Sequence, residues 1–236
     1  MATIVSAIPV VAEQTGREVI LVGGLAVICR LPAPHRATSD LDAVDRRATT
    51  QRSQLELLTS AGGTPSGPAG VRVQTPNGEV QVDLLDVTDA DLEALPDDAS
   101  GRLYVQSHAW AASTASVLTL HAEGLEALEV KVAEPGPLIA MKLQSIQDRS
   151  AAKEGTDLLD ILRLSLDQDC GPKSLDQLEL ADPQLRVDAL LHVRLWFETY
   201  ATQSLSKVQA LPEGQDLELD DVHLARELLT SALDYT

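Results

Sequence analysis

The sequence is short of aromatic residues and cysteines, and each shortage restricts its chemistry. Only 3% of its 236 residues are aromatic, so the core has to be aliphatic and stacking cannot be the main mode of base recognition. The two cysteines are Cys29 and Cys170. They provide neither a disulfide framework nor a metal-thiolate pattern, and they indicate a reducing cytosol.

Long apolar runs and an export signal are also missing from the sequence. No stretch approaches the roughly 20 apolar residues that span a bilayer, so we expect no membrane partner. Residues 4–12 are apolar but lack a basic leader and are followed by Glu13. We therefore expect a packing helix at this end rather than an export signal, and a cytoplasmic location.

Positive charge is scarce, with a net charge of −18. This balance argues against a nucleic-acid partner, because neutralised phosphates supply most of that affinity. The excess is uneven, since 14 acidic and five basic residues follow from Leu164 onward. We keep a basic cleft within an acidic protein as an alternative, because basic residues gather elsewhere: Arg30, Arg36, Arg46, Arg47, Arg52, Lys131, Lys142, Arg149 and Lys153.

An apolar run that ends in two glycines is the first informative motif. Residues 19–22 are β-branched and aliphatic, as in a buried strand, and Gly23 and Gly24 follow them. We expect a helix over residues 25–30, whose first N–H groups carry the positive end of the helix dipole. Glycine would let a phosphate oxygen approach these groups. The alternative for the glycine pair is an ordinary tight turn.

Two aspartates after the turn at Thr38 form the second motif. Asp40 and Asp42 are two residues apart, so an extended segment points both carboxylates to one face. Paired carboxylates are oxygen ligands for Mg²⁺. With a nucleoside triphosphate bound, two ions about 4 Å apart can clamp the attacking and leaving oxygens of a phosphoryl displacement. The alternative is a solvated strand edge.

An Asn-Gly turn at residues 77–78 predicts a hairpin between strands at 71–75 and 79–87. In the second strand, Val80 and Val82 share one face, and Gln81 and Asp83 share the other. If this strand is a neighbour of the Asp40 strand, Asp83 stands beside both earlier aspartates. The alternative interpretation of Asp83 is an acidic residue on a solvated face of the strand.

The remaining patterns predict a sheet followed by helices. The expected strands are 18–22, 39–44, 103–105, 117–121 and 128–132, and the last two of them are possible pairing partners. The expected early helices are 4–14 and 49–60. Residues 31–37, 61–70 and 88–101 are expected to be loops, the second of them flexible. After Pro135 the period changes from two to about 3.6, and we expect helices to residue 236. The expected domain boundary near Glu134 separates residues 1–134 from residues 135–236.

Basic residues recur in the first part of the helical half. Lys142, Arg149 and Lys153 would share one stripe if their helix were continuous, and a solvated charged face is the alternative. Lys142 lies in an apolar stretch, where a half-buried lysine needs an anionic partner. Asp157 and Asp160 follow a few residues later.

In this order, the motifs resemble the nucleotidyltransferase toxins of the AbiEii/AbiGii type, including the mycobacterial MenT proteins, within the DNA polymerase β-like nucleotidyltransferase superfamily. The matching segments are residues 23–26, 36–42, 82–85 and 138–162. The resemblance implies an α+β fold, with a small mixed sheet and flanking helices followed by a helical domain that completes the nucleotide site. Two departures are Gly23-Gly24 in place of the usual Gly-Ser, and Thr156 in place of a basic residue before Asp157.

The resemblance also implies residue roles. Asp40 and Asp42 would hold Mg²⁺, and Asp83 would bind metal or take the proton of the attacking hydroxyl. Lys142 would hold the triphosphate, and Asp157 would complete the catalytic set. The nucleotide-binding residues would be Gly23, Gly24, Arg36, Thr38 and Lys142.

The hypothesis that results is a Mg²⁺-dependent nucleotidyltransferase that joins an NTP to an acceptor hydroxyl and releases pyrophosphate. The resemblance implies a tRNA acceptor end, inhibition of translation and growth, and a partner antitoxin. RNA contacts would come from Arg36, Arg46, Arg47, Arg149 and Lys153. Two alternatives stay open: an acceptor that is a small molecule or a protein, and a non-catalytic module whose acidic helical half engages a basic partner.

Overall fold

The computed structural model describes residues 1–148 and 151–234, and the chain divides into two compact units. The first, called here the sheet unit, contains residues 1–29, 37–94 and 108–133. The second, the helical unit, contains residues 30–36, 95–107 and those from Glu134 onward. That residues 1–134 and 135–236 fold as separate domains stays a prediction.

Within the described residues, the sheet unit holds a seven-stranded mixed sheet with the order β3-β4-β5-β2-β1-β7-β6. The strands are β1 (Ile20–Leu21), β2 (Asp40–Arg47), β3 (Thr64–Pro65), β4 (Gly70–Thr75), β5 (Gly78–Thr88), β6 (Ser116–Leu120) and β7 (Leu128–Val132). β2 is parallel to β5 and β1 is parallel to β7, whereas the other neighbours are antiparallel.

Helices flank this sheet and make up most of the helical unit. The first six are α1 (Ala2–Val5), α2 (Ala7–Thr15), α3 (Gly23–Arg30), α4 (Gln54–Ser60), α5 (Asp89–Glu93) and α6 (Ala99–Thr114). The later ones are α7 (Pro135–Ser145), α8 (Ala151–Leu166), α9 (Cys170–Glu179), α10 (Pro183–Arg194), α11 (Ala201–Gln209) and α12 (Leu219–Leu233). The predicted α+β class, with a mixed sheet, flanking helices and a following helical part, is confirmed. No described helix has both the length and the apolar character of a membrane span.

The hairpin of β4 and β5 forms where the Asn-Gly turn predicts it. Gly78 has a φ of +117°, which a glycine adopts without strain. Val80 and Val82 are buried, whereas Gln81 and Asp83 are partly exposed. The alternation therefore places Gln81 and Asp83 on one face of β5, as expected from the sequence.

The expected strand at residues 103–105 is wrong, because these residues lie within α6. Leu103, Ser107 and Ala111 are fully buried and four residues apart, which is the spacing of a helix face. A short apolar run does not distinguish a strand from a turn of buried helix. Because Ser107 is polar, the apolar residues alone do not show the helical spacing of this stripe.

Two expected loops contain regular structure. Residues 61–70 include β3 at the sheet edge, which pairs with β4. Residues 88–101 include α5, which the Thr88 hydroxyl caps at the N–H of Asp91. Helix α4 begins later than expected, at Gln54, because Ser53 and Glu56 form a reciprocal capping box.

The helix expected through Lys142 and Lys153 is not continuous. α7 ends at Ser145, a 3₁₀ turn covers Ile146–Asp148, and α8 begins at Ala151. Lys142 and Lys153 therefore lie on different helices, and the prediction of one basic stripe is wrong. Arg149 lies outside the described residues.

Candidate metal centre

Three carboxylates meet on one face of the sheet unit. Asp40 and Asp42 project from β2, and Asp83 projects from the neighbouring β5, directly opposite Asp42. One carboxylate oxygen from each residue lies within 4.8 Å of the others. Asp42 is buried, and the other two are partly exposed. Oxygen donors at this separation suit a divalent cation, which would also relieve the repulsion among three like charges.

Gly23 and Gly24 position Asp42. Gly23 has a φ of +61°, and a Cβ at this residue would lie 2.0 Å from Asp42 Oδ2. The Gly24 N–H, in the first turn of α3, donates to that oxygen at 3.4 Å. The positive end of the helix dipole therefore faces the carboxylate. The predicted contact of these glycines with a phosphate stays a prediction.

The other two carboxylates each accept a hydrogen bond from a nearby side chain. The Thr38 hydroxyl donates to Asp40 Oδ1 at 3.2 Å. Gln81 Nε2 donates to Asp83 Oδ1 at 2.6 Å, and the Ser66 hydroxyl donates to Gln81 Oε1 at 2.7 Å. Each carboxylate is thus oriented by a donor, as in preformed metal sites. Together with the glycine that makes room for Asp42, these bonds show that the residues present fit a bound cation.

The helical unit contains the remaining predicted site residues in a buried ion cluster, defined as His35, Arg36, Lys142, Asp157 and Asp160. The Lys142 ammonium lies 2.5 Å from Asp157 Oδ1 and 2.7 Å from Asp160 Oδ2. Arg36 donates to both oxygens of Asp160, at 2.7 and 2.6 Å. His35 Nε2 lies 2.8 Å from Asp160 Oδ1. The anionic partner expected for Lys142 is therefore a pair of aspartates.

The cluster favours the charged forms of Asp160 and Lys142 despite their burial. Asp160 is completely buried, which alone would raise its pKa, but Lys142, Arg36 and His35 hold the pKa of this carboxyl well below its usual value. Burial alone would lower the pKa of Lys142, but Asp157 and Asp160 hold it above the usual value. A buried and compensated network of this kind is costly to break at any one member.

Sequence reasoning undervalued three residues that the structure places in these sites. Ser66 fell in a stretch expected to be flexible, and Gln81 was noted only for its strand face. Asp160 was noted beside Asp157, yet it is the residue that Lys142, Arg36 and His35 all contact. Its position three residues after Asp157 in α8 was the available signal, because residues at that spacing share a helix face.

Three of the arginines predicted to contact RNA, Arg36, Arg46 and Arg47, have carboxylate partners within the described part of the chain. Arg46 pairs with Asp89 at 2.5 Å, and Arg47 makes two bonds to Asp86, at 2.8 and 2.7 Å. Arg36 belongs to the buried ion cluster. These pairings reduce the positive charge that the three side chains offer to a phosphate backbone.

Comparison with known proteins finds similarity to solved structures. No protein-family model and no curated protein matches the sequence. The chain is similar to the crystal structure of an antigenic nucleotidyltransferase-like protein from Paracoccidioides brasiliensis, with a TM-score of 0.46 and 20% identity over 87% of this chain and 93% of that chain. Similarity of this degree does not identify a reaction, so the chemistry is inferred from this chain's own residues.

Proposed function

We propose that the protein is a divalent-metal-dependent nucleotidyltransferase, which transfers NMP from an NTP to an acceptor hydroxyl and releases pyrophosphate. The observation that carries the proposal is the carboxylate triad of Asp40, Asp42 and Asp83 on two parallel neighbouring strands. Asp42 in that triad faces the N-terminus of α3.

In this proposal the chain's own residues supply positioning and charge. Asp40 and Asp42 would hold Mg²⁺, and Asp83 would be a further ligand or would take the hydroxyl proton. When bound, Mg²⁺ neutralises charge on the triphosphate and acidifies a coordinated hydroxyl. Phosphoryl transfer needs positioning and electrostatic stabilisation rather than a nucleophilic side chain, and these groups are sufficient for it.

The roles of the other predicted residues rest on the resemblance to AbiEii-type enzymes. We propose Gly23, Gly24 and Thr38 as nucleotide contacts near the triad. We propose Lys142 and Arg36 as nucleotide ligands and Asp157 as a catalytic residue. Because Lys142 already has two carboxylate partners, a phosphate would have to replace one of them.

The proposed acceptor is an RNA hydroxyl, at the acceptor end of tRNA, with growth inhibition and a partner antitoxin as consequences. This choice also rests on the resemblance. A second candidate is a small cationic molecule, favoured by the net charge of −18 and by the carboxylate partners of Arg46 and Arg47. An acidic surface attracts such an acceptor and repels RNA.

Incubation with each α-labelled NTP, Mg²⁺ and either total tRNA or an aminoglycoside tests both acceptors. We expect one NTP to give a labelled product that is absent with Asp42→Asn and with EDTA. Transfer to tRNA should weaken steeply with salt, since each neutralised phosphate adds about 0.7 to 0.9 to the log–log slope. Transfer that is indifferent to salt would contradict the RNA acceptor, and no product with any NTP would contradict nucleotidyl transfer to either.

A further inference from the structure

Asp83 differs from the other two carboxylates of the triad in how it is oriented. Asp42 is fixed by a backbone N–H and by close packing against Gly23, and Asp40 accepts from a hydroxyl two residues away. Asp83 accepts from Gln81, whose amide is bonded in turn to Ser66, 15 residues away in the chain. Its orientation therefore depends on two side chains that join two parts of the sheet.

We infer that Ser66 and Gln81 form a positioning relay that holds Asp83 in its metal-binding orientation, so that the turn between β3 and β4 sets metal affinity. This inference rests on the proposed function, because it requires the triad to bind a divalent cation. It gives a function to the turn that connects β3 to β4 at the sheet edge.

The direction of the hydrogen bonds supports the relay. The Ser66 hydroxyl donates to Gln81 Oε1, so the Gln81 NH₂ group must face Asp83. The flipped amide would place an oxygen against a carboxylate oxygen, which is repulsive, and would leave the NH₂ against the serine. The Asp83 carboxylate therefore selects the amide orientation in which Gln81 donates to it, and the Ser66 hydroxyl holds the amide there by donating to Oε1.

The backbone of the turn is fixed in the position that the relay needs. The Ser66 N–H donates to Gly70 O at 2.9 Å, and the Leu84 N–H donates to Ala69 O at 2.8 Å. Gly70 lies opposite Asp83 in the pairing of β4 and β5. A Cβ at Gly70 would lie 2.4 Å from Gln81 Nε2 and 2.8 Å from Asp83 Oδ1. Glycine at this residue thus leaves the space that the Gln81–Asp83 bond occupies.

The consequence is that metal affinity can change while the fold remains. Replacing Gln81 by Leu leaves an apolar side chain that is one atom shorter and removes the donor, so Asp83 Oδ1 is free to rotate. Loss of a residue that orients a metal ligand typically costs 10- to 100-fold in affinity. We expect Mn²⁺ binding to weaken about 10- to 100-fold in Gln81→Leu and in Ser66→Ala, whereas Ser66→Thr keeps a hydroxyl and stays near the wild-type affinity.

The sheet offers a matched control in Gln74. Its amide donates to Glu79 Oε2 at 3.0 Å, which is the same kind of bond on the same sheet but involves no residue of the triad. Gln74→Leu should leave Mn²⁺ affinity unchanged. Metal-free thermal unfolding of every variant separates loss of positioning from loss of fold.

Titration of the full-length protein with Mn²⁺, followed by electron paramagnetic resonance, tests the relay. The expected result is weaker binding in Gln81→Leu and Ser66→Ala, no further loss in the double variant, and unchanged unfolding midpoints. If wild-type protein binds Mn²⁺ and Gln81→Leu binds it as Gln74→Leu does, the relay is overturned and the proposed function survives. If the wild type itself binds no Mn²⁺, the metal centre of the proposed function fails, and the relay fails with it.

Discussion

Asp42 on β2 lies directly opposite Asp83 on β5, and both carboxylates project from the same face of the sheet. Asp42 is only 8% exposed, so the strand pairing brings a buried anion beside a second one. Two like charges in this arrangement repel each other, and the sheet would be more stable with neutral residues there. The arrangement is therefore better explained by ligand binding than by folding.

Asp42→Asn should separate metal binding from stability. Asparagine keeps the shape and can still accept the Gly24 N–H, so the metal-free free energy of unfolding should stay within about 1 kcal/mol of wild type or rise. At 100 times its Kd, Mn²⁺ should stabilise the wild type by about 2.7 kcal/mol and the variant by far less. Urea unfolding with Mn²⁺ and with EDTA measures both.

Asp86→Asn is the control for that measurement, because Asp86 also lies on β5 but pairs with Arg47. It should keep the full stabilisation by Mn²⁺. Equal stabilisation of Asp42→Asn and wild type would contradict the assignment of Asp42 as a metal ligand.

Gly23→Ala should weaken metal binding beyond the effect of backbone strain. The new Cβ would lie 2.0 Å from Asp42 Oδ2, so the carboxylate must move. Gly16 has a similar φ of +65° with no atom within 4 Å of an added Cβ, so Gly16→Ala isolates the left-handed backbone cost of about 1–2 kcal/mol. Calorimetry with Mn²⁺ should show weaker binding in Gly23→Ala alone. The same affinity in both variants would mean that Gly23 serves the turn and not Asp42.

Lys142→Met should destabilise the helical unit although the side-chain volume is similar. The change leaves Asp157 and Asp160 buried with one cation fewer, and breaking a buried ion pair in this way costs about 3–5 kcal/mol. Lys131→Met is the surface control, because its pair with Glu18 is exposed and worth at most about 1 kcal/mol. Chemical unfolding of both variants tests this. A cost below 1 kcal/mol for Lys142→Met would show that the two carboxylates do not depend on it.

The Asp160 carboxyl should make stability fall in acid. Its folded pKa lies well below the unfolded value of about 3.9, so its contribution is present above that pH and is lost as pH falls through the folded pKa. The raised pKa of Lys142 acts in alkali, where its contribution is present below the unfolded value of about 10.4 and is lost as pH rises through the folded pKa.

Unfolding free energies at several pH values check this prediction. The difference between wild type and Asp160→Asn should be largest between about pH 5 and pH 9 and should shrink as the pH approaches 3 and below. A difference that is constant across the acid range would mean that Asp160 is not ionised in the folded protein.

Local patterns in the sequence were sufficient to predict the faces of the strands that carry the triad. The two-residue spacing of Asp40 and Asp42 and the alternation from Val80 to Asp83 follow from strand geometry, and the Asn-Gly turn sets the hairpin. The sequence did not predict that β2 and β5 are neighbours, and Asp83 was placed beside Asp40 and Asp42 only on that condition. Pairing between strands about 40 residues apart is decided by the whole sheet.

The features that local sequence patterns did not predict are contacts between residues far apart in the chain. Ser66 reaches Gln81 only because β3 pairs at the sheet edge, and His35 and Arg36 reach Asp160 across 125 and 124 residues. No local period encodes such pairs. The contacts of Asp160 form because a buried charge needs a partner, and in every case the fold determines which partner is near.

The most direct test of the metal centre is a Mn²⁺ anomalous difference map from crystals of the wild-type protein grown with Mn²⁺ and a non-hydrolysable NTP analogue. The proposed metal centre requires an anomalous peak at coordination distance, about 2 Å, from carboxylate oxygens of Asp40 and Asp42, and the relay requires the same distance for Asp83. Ordered triad carboxylates without such a peak among them would contradict the account.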